Sequence, residues 1–137
     1  MRFAMLKTAA ALAVAVAIPT AGHAAQDSAS AYQADLSCAA YHLEIAGFYK
    51  SDLGKEEPRS EQRYDQFKQS GTAKLESAME HANAIGKDID TVKGELLTLI
   101  ERRVLGNLEQ GSAARVILAH VKDTTIKAET CQRSDNG

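Results

Sequence analysis

The sequence predicts an all-α protein, most simply an up-down-up-down four-helix bundle that follows a cleaved export signal. Apolar residues recur at three- and four-residue steps in four successive segments, and no stretch alternates polar and apolar residues as a strand does. Short polar or glycine-containing links separate these segments, and short links favour antiparallel neighbours.

Residues 1–24 have the pattern of a secretory signal peptide. Arg2 and Lys7 supply a positive start, the apolar run AAALAVAVAI occupies residues 9–18, and the small-residue stretch TAGHAA follows. A membrane-spanning helix needs about 20 apolar residues, so this run is too short to span. We therefore expect cleavage after Ala24, export to a bacterial periplasm or beyond it, and no stable membrane anchor.

The chain that remains after cleavage, residues 25–137, has the length of one domain. The whole sequence has 16 Lys and Arg against 18 Asp and Glu, and two of the basic residues lie in the signal. A mildly acidic domain lacks the basic face that nucleic acid or an anionic membrane surface requires. We therefore expect no nucleic-acid partner.

The first helix is predicted to begin at Leu36, after a flexible, small and polar segment at 25–35. Residues 36–49 would be apolar on nearly every face of a helix, with His42 and Glu44 as the strongly polar interruptions. A helix that is apolar all round is typically the central one. We expect the other helices to pack around it.

The second helix is predicted over 58–85, because Pro58 suits a first helical turn and Gly86 is a stop signal. Gly71 lies inside this segment, where it weakens a helix by up to ~1 kcal/mol relative to alanine, and we expect it to mark a bend. The apolar stripe of the segment comprises Tyr64, Phe67, Leu75, Ala78, Met79, Ala82 and Ile85.

The third helix is predicted to begin at Asp88 or Asp90, either of which can cap it, and to end at Gly111. Its apolar stripe comprises Ile89, Val92, Leu96, Leu99, Ile100, Val104 and Leu108.

The fourth helix is predicted to follow a cap at Ser112 and to end near Cys131. The helical domain then covers residues 36–131, and the polar tail at 132–137 is expected to be flexible. The apolar stripe of this helix comprises Ala114, Ile117, Leu118, Val121, Ile126 and Ala128.

Cys38 and Cys131 are the two cysteines of the chain. In an up-down-up-down bundle the first helix begins where the fourth one ends, so these residues are expected to be neighbours. An even cysteine count in an exported protein favours a disulfide. We predict a Cys38–Cys131 bridge, which the chain-entropy model values at roughly 4–5 kcal/mol.

A metal or haem site is a lesser alternative. Cys38 and His42 lie four residues apart and share a helix face, but a closed zinc site takes four ligands, and no sequence pattern brings His81 or His120 to them. Covalent haem needs a Cys-x-x-Cys-His motif, which the sequence lacks. Met79 and His81 are candidate ligands of a haem that is not covalently bound, but Met79 lies on the core stripe of its helix and is explained more simply by packing. We expect no cofactor and no metal.

Four polar residues are candidates for lining a pocket. His42 and Glu44 are two positions apart and face different sides of a helix. We expect one of them to be exposed and the other to be hydrogen-bonded at a helix crossing, although either could line a pocket in the bundle. Arg102 and Arg103 are expected mainly on a solvated face, balanced by Glu101.

The stretch ELLTLIERR at 95–103 resembles the LLxLIxxR stretch of helical chorismate mutases, some of which are exported. The resemblance implies a small helical enzyme that converts chorismate to prephenate, with Arg102 and Arg103 near its site. That family also uses an N-terminal arginine, a lysine shortly after this stretch and a distant glutamine, for which this sequence has no clear match.

The stretch Cys38-Ala39-Ala40-Tyr41 resembles one in small exported helical proteins of unknown function, which implies no activity. The sequence has no glycine-rich phosphate loop, no H-E-x-x-H and no G-x-S-x-G motif. We therefore favour a non-catalytic protein-binding module, comparable to immunity proteins and small chaperones, whose partner is another periplasmic protein. A homodimer is a further expectation, because small residues on the central helix permit close pairing.

Overall fold

A computed structural model of the protein describes the backbone of residues 2–109 and 114–136, and the side chains of residues 26–103 and 114–133. The elements are α1 (Arg2–Lys50), a 3-10 turn (Gly54–Glu56), α2 (Ser60–Ala84), α3 (Ile89–Glu109) and α4 (Ala114–Asn136). No strand occurs in these ranges, and the prediction of an all-α protein is confirmed. None of the described helices is both long enough and apolar enough to cross a membrane.

α1 includes a segment that the sequence predicts to be flexible. Residues 26–35 are helical, and Tyr32 and Leu36 are completely buried one turn apart. Tyr32 packs with residues of α2 and α3, and such tertiary packing stabilises a helix whose small polar residues favour it only weakly. The predicted signal peptide concerns residues 1–24, whose side chains lie outside the described residues.

α1 and α2 form an antiparallel pair with short distances between their side chains. The ring of Phe67 lies 5.9 Å from that of His42 and 6.3 Å from that of Tyr49, centroid to centroid. A Cβ atom on the buried Gly71 would lie 2.8 Å from the side chain of Leu43. α2 continues through Gly71, so this glycine permits the close approach of two helices where the sequence predicts a bend.

The link between α1 and α2 depends on a buried glycine. A Cβ atom on Gly54 would lie 1.9 Å from the carbonyl oxygen of Phe48, a separation that no side chain permits. α2 begins at Ser60 and not at Pro58, because Arg59 adopts a left-handed φ of 58° and breaks the helical path between them.

α3 is capped by the first of its two candidate caps. The Oδ1 atom of Asp88 accepts a hydrogen bond of 2.7 Å from the backbone N–H of Thr91, and α3 begins at Ile89. This bond favours the ionised carboxylate and lowers the pKa of Asp88 below its ordinary value. The predicted stop at Gly111 and cap at Ser112 lie outside the described residues, as do the side chains of the last apolar residues of α3.

α4 passes Cys131 and continues to Asn136, so residues 132–136 of the expected flexible tail are helical. Cys131 lies at disulfide distance from Cys38 of α1, with 5.9 Å between the Cα atoms. The prediction that these two cysteines are neighbours is confirmed, because they form a pair at disulfide distance.

Two core clusters share α1 as their common helix. The first joins α1 to α2 and α3 through Tyr32, Leu36, Ala39, Ala40, Ala78, Ala82, Val92 and Leu96. The second joins α1 to α2 and α4 through Ile45, Ala46, Tyr49, Phe67 and Ala128. α1 therefore has the central position that its sequence predicts.

Candidate functional site

A cavity of about 550 Å³ opens between α1, α3 and α4, beside the loop that follows α1. Its volume lies in the range of small-molecule sites, which combine apolar walls with a few polar groups. The apolar side chains of its wall are Leu43, Ile45, Phe48, Leu53, Ile100, Ile117 and Val121. The polar ones are Glu44, Ser51, Asp52, His120 and Thr124.

Helical spacing brings these side chains to one place. Ile117, Val121 and Thr124 follow one another at steps of four and three residues, so they share a face of α4. On α1, Leu43 and Gly47 are four residues apart, and apart from its chain neighbours and the nearby backbone of α1 itself, no described atom lies within 4 Å of the position that a Cβ of Gly47 would take. The absence of a side chain at Gly47 leaves this part of the cavity open.

Glu44, in the cavity wall, is the centre of a polar network that extends to Arg103, which does not itself line the cavity. Its Oε2 atom accepts a 2.6 Å hydrogen bond from Nε of Arg103, and its Oε1 atom contacts Nε2 of His120. Nη2 of Arg103 also donates to Oγ1 of Thr124 at 2.7 Å. The network therefore ties α1, α3 and α4 together, and the guanidinium of Arg103 lies 4.6 Å from the centroid of the Tyr41 ring.

The partners of His120 and Thr124 in this network indicate where the protons of these two side chains lie. A ring nitrogen that faces a carboxylate carries a proton, so we assign Nε2 of His120 as the donor to Glu44. Nδ1 of His120 then has no hydrogen-bond partner among the described residues. Thr124 is buried, accepts from Arg103, and has its Oγ1 atom 3.3 Å from Nε2 of His120. Because Nε2 is assigned as protonated, it cannot accept from Thr124, and the hydroxyl proton of Thr124 is left without an acceptor in the described part of the chain. Two hydrogen-bonding positions of the wall are therefore unused.

A carboxylate that orients a histidine is a common catalytic pair, but here Arg103 shares the carboxylate of Glu44 and offsets its charge. Ser51 is the other hydroxyl in the cavity, and it donates to the carbonyl of Phe48 at 2.5 Å and not to His120. Oγ1 of Thr124 lies 3.3 Å from Nε2 of His120, but that nitrogen directs its proton to Glu44 and so does not act as a base for the hydroxyl.

The four predicted pocket residues lie in three different environments. Glu44 and Arg103 belong to the network, whereas Arg102 is exposed. His42 is buried on the α2 side, where its Nδ1 atom hydrogen-bonds the carbonyl of Cys38 at 2.9 Å. The expectation that either His42 or Glu44 is exposed is wrong, because both are at helix crossings and the side chain of Glu44 is only 11% exposed.

The residues considered for metal binding do not assemble a complete site. Ligand atoms of Cys38, His42 and Cys131 lie within 4.8 Å of one another, but the sulfurs are at disulfide distance and only the imidazole remains. His81 and His120 lie beside carboxylates elsewhere. The described residues therefore do not bring together the four ligands of a structural zinc site.

The methionine considered as a haem ligand has a packing role. Met79 is partly buried against the first core cluster, where α2 meets α1 and α3. Methionine fills irregular spaces in such interfaces.

A second polar cluster lies near the described beginning of α1. The hydroxyl of Tyr32 donates to Glu95, and Nζ of Lys87 donates to the other oxygen of Glu95 at 2.6 Å. The hydrogen bond from Lys87 is the larger cause, and that from Tyr32 the next, of a lowered pKa of Glu95. Burial, followed by the contact with Glu95, raises the pKa of Tyr32.

Sequence reasoning missed Thr124 and the contribution of His120 to the cavity. The network joins Glu44 to Arg103 over 59 positions and to His120 over 76 positions, so no local motif contains it. The available signal is the four-residue spacing of His120 and Thr124, two polar side chains beside the apolar stripe of α4.

No protein-family model matches the chain, and neither a curated protein nor a solved structure matches it. The site is therefore interpreted from its own geometry.

Proposed function

We propose that the protein is an exported, non-catalytic binding module and that the cavity between α1, α3 and α4 is its binding site. The observation that carries this proposal is the apolar cavity of about 550 Å³, in whose wall the carboxylate of Glu44 is held by Arg103 from outside the lining and by His120 from within it. Such a wall keeps its shape without a ligand, and preorganisation lowers the entropic cost of binding.

Export is part of the proposal. It is supported by the signal pattern at 1–24 and by the Cys38–Cys131 pair, because disulfides persist in oxidising compartments. Expression of the full-length gene in a bacterium, followed by intact-mass measurement of the periplasmic protein, tests it. We expect a product that begins at Ala25 and has no thiol available for labelling after denaturation. A cytoplasmic product that retains Met1 would contradict export.

The up-down-up-down arrangement is also proposed. α1 and α2 are antiparallel, and contacts of α1 with α4 pair Glu44 with His120 and Cys38 with Cys131, the order that antiparallel helices give. Chemical cross-linking of surface lysines in the folded protein tests the path of α3, whose contacts with α4 are sparse. Cross-links that place α3 parallel to α4 would contradict this topology.

The cavity does not favour the chorismate-mutase alternative. Chorismate is a dicarboxylate, yet the described wall includes the carboxylates of Glu44 and Asp52 and no arginine or lysine. Arg103 is engaged with Glu44, and Arg102 is exposed. We expect no conversion of chorismate to prephenate by the purified protein, and clear turnover would contradict a non-catalytic function.

Two neighbouring residues of α4 provide a matched test of binding. Ile117 lines the cavity, whereas Leu118 is 39% exposed and does not line it. We would immobilise the exported wild-type protein, Ile117→Trp and Leu118→Trp, apply native periplasmic extract, and identify retained proteins and small molecules by mass spectrometry. We expect the Ile117→Trp variant alone to lose the retained component. Equal retention by all three proteins, or none by the wild type, would contradict the proposal.

A further inference from the structure

We propose that the cavity takes an uncharged amphiphile, a molecule with an apolar body and one small hydroxyl or carbonyl head group. This inference rests on the proposed function, because it names the ligand class of the same site. It follows from the shape of the cavity, the unused hydrogen-bonding positions and the pairing of charges in the wall.

The apolar body is indicated by the side chains that surround the space. Leu43, Phe48, Ile100, Ile117 and Val121 come from three helices and face a common volume of about 550 Å³. Transfer of apolar area from water to such a wall stabilises a complex by roughly 25 cal/mol per Å². A ligand without an apolar body would leave this wall in contact with water.

The head group is indicated by Thr124 and His120, which both line the cavity. Nε2 of His120, 3.3 Å from Oγ1 of Thr124, is assigned as the donor to Glu44 and therefore does not accept the Thr124 hydroxyl proton. With this tautomer, neither that proton nor Nδ1 of His120 has a partner among the described residues. A ligand hydroxyl can accept from the first and donate to the second, and a carbonyl can accept from Thr124. One small polar group therefore fits the unused bonding capacity of the wall.

The absence of a net charge on the ligand is indicated by the pairing of Glu44. Both of its oxygens are occupied, one by Arg103 and the other by His120, so a cationic head group would have to displace one of them. An anionic head group would enter a wall whose described side chains include two carboxylates and no arginine or lysine. Burial of either charge without a partner is costly.

Three probes with the same alkyl chain test the ligand class. Decanol, decanoate and decyltrimethylammonium, each below its micelle concentration, would be titrated into the exported protein by calorimetry. We expect decanol to bind most tightly, and the Ile117→Trp variant to weaken its binding by at least about tenfold because the indole fills the cavity. The Leu118→Trp variant is the matched control and should bind decanol as the wild type does.

The head-group contact has its own test. Thr124→Val keeps the shape of the side chain and removes its hydroxyl, so we expect decanol to bind about three- to tenfold more weakly. Naphthalene, an apolar probe without a head group, should bind this variant and the wild type alike. An equal loss for both probes would show a general change in the cavity and would overturn the head-group assignment.

The outcomes separate this inference from the proposed function. Equal or tighter binding of decanoate or of the cationic probe overturns the ligand class but leaves the cavity as a binding site. Failure of all three probes, combined with a component from extract that only Ile117→Trp loses, overturns the inference and leaves the proposed function. Binding of decanol that Ile117→Trp does not change places the ligand elsewhere and overturns the inference.

Discussion

The two sides of α1 differ in how closely they meet their neighbours. On the side of α2, the lack of a Cβ atom at Gly71 lets the side chain of Leu43 lie against the backbone of α2. The rings of His42 and Phe67 also pack together on this side. On the side of α3 and α4 the same helix borders a cavity of about 550 Å³. One side has no room for a methyl group, whereas the other has room for a ligand.

The comparison shows that the two sides of α1 face side chains of different size. Small residues of α2, such as Gly71, Ala78 and Ala82, are buried against α1 or its core cluster. Around the cavity, α3 and α4 present larger side chains, namely Ile100, Ile117 and Val121. The polar network around Glu44 ties these two helices to α1 without filling the space between them. Leu43 belongs to both sides, because it contacts Gly71 and lines the cavity.

The largest effect on the close-packed side is expected at the turn after α1. Gly54→Ala would place a Cβ atom 1.9 Å from a backbone oxygen, and backbone cannot move aside as a side chain can. We expect a loss of about 3 kcal/mol or more in the free energy of unfolding, measured by chemical denaturation. Gly47→Ala is the control, because its site is open and α1 should gain up to ~1 kcal/mol. Equal stability of the two variants would contradict the account of this turn.

The next effect concerns the network that holds the open side in place. Glu44→Gln removes the charge that pairs with Arg103, whose side chain is 20% exposed, and we expect a loss of about 2 kcal/mol in unfolding free energy. Asp123→Asn is the matched change in an exposed pair with Lys127 and should cost less than about 0.5 kcal/mol. A loss no larger than that of the control would show that the network is not structural.

Gly71→Ala couples the two sides. Its Cβ atom would push the side chain of Leu43, and the cavity behind Leu43 can accept part of the movement. The gain in helix propensity opposes the overpacking, so we expect a net loss of only about 1 kcal/mol together with weaker decanol binding. Gly94→Ala, at an open position of α3, should raise stability and leave decanol binding unchanged. Unchanged binding by Gly71→Ala would show that Leu43 does not transmit the change.

The smallest effects are expected in the pH dependence of the Tyr32–Glu95 cluster. The folded state lowers the pKa of Glu95 from 4.5, so its stabilisation is present above pH 4.5 and is lost as the pH falls below that value. The folded state raises the pKa of Tyr32 from 10.0. The stabilisation by Tyr32 is therefore present below pH 10.0 and is lost as the pH rises further. Denaturation midpoints of Glu95→Gln and Tyr32→Phe should vary less with pH than the wild type on the acid and alkaline sides, respectively. Profiles parallel to that of the wild type would contradict these assignments.

The elements of the fold were largely predictable from local patterns, and their ends were less so. Apolar periodicity predicts α2, α3 and α4, and the choice of Asp88 or Asp90 as a cap includes the observed one. Residues 26–35 were missed, because the small polar sequence around Tyr32 has no apolar stripe and becomes helical through contacts with distant helices. The sequence placed Pro58 inside α2, because nothing about an arginine at position 59 indicates that its backbone is left-handed and interrupts the helix there.

The candidate site was predictable only in its parts. Glu44 and Arg103 were singled out as polar residues, but their partnership joins two helices that no motif connects. The cavity could not be predicted, because it is the space that remains after three helices have packed. Space of this kind depends on interhelical distances, which the sequence specifies only through all contacts together.

The sequence by itself determined the helical class of this protein, the central place of α1 and the pairing of Cys38 with Cys131, because periodicity, composition and chain order specify them. Only the tertiary structure decided which polar residues meet and where space is left between the helices. Glu44 of α1 and the α4 residues His120 and Thr124 are ordinary residues of two helices until packing removes water from between them. Long-range contacts bring Glu44 to His120 and Thr124, and the cavity that they line exists only in the folded chain.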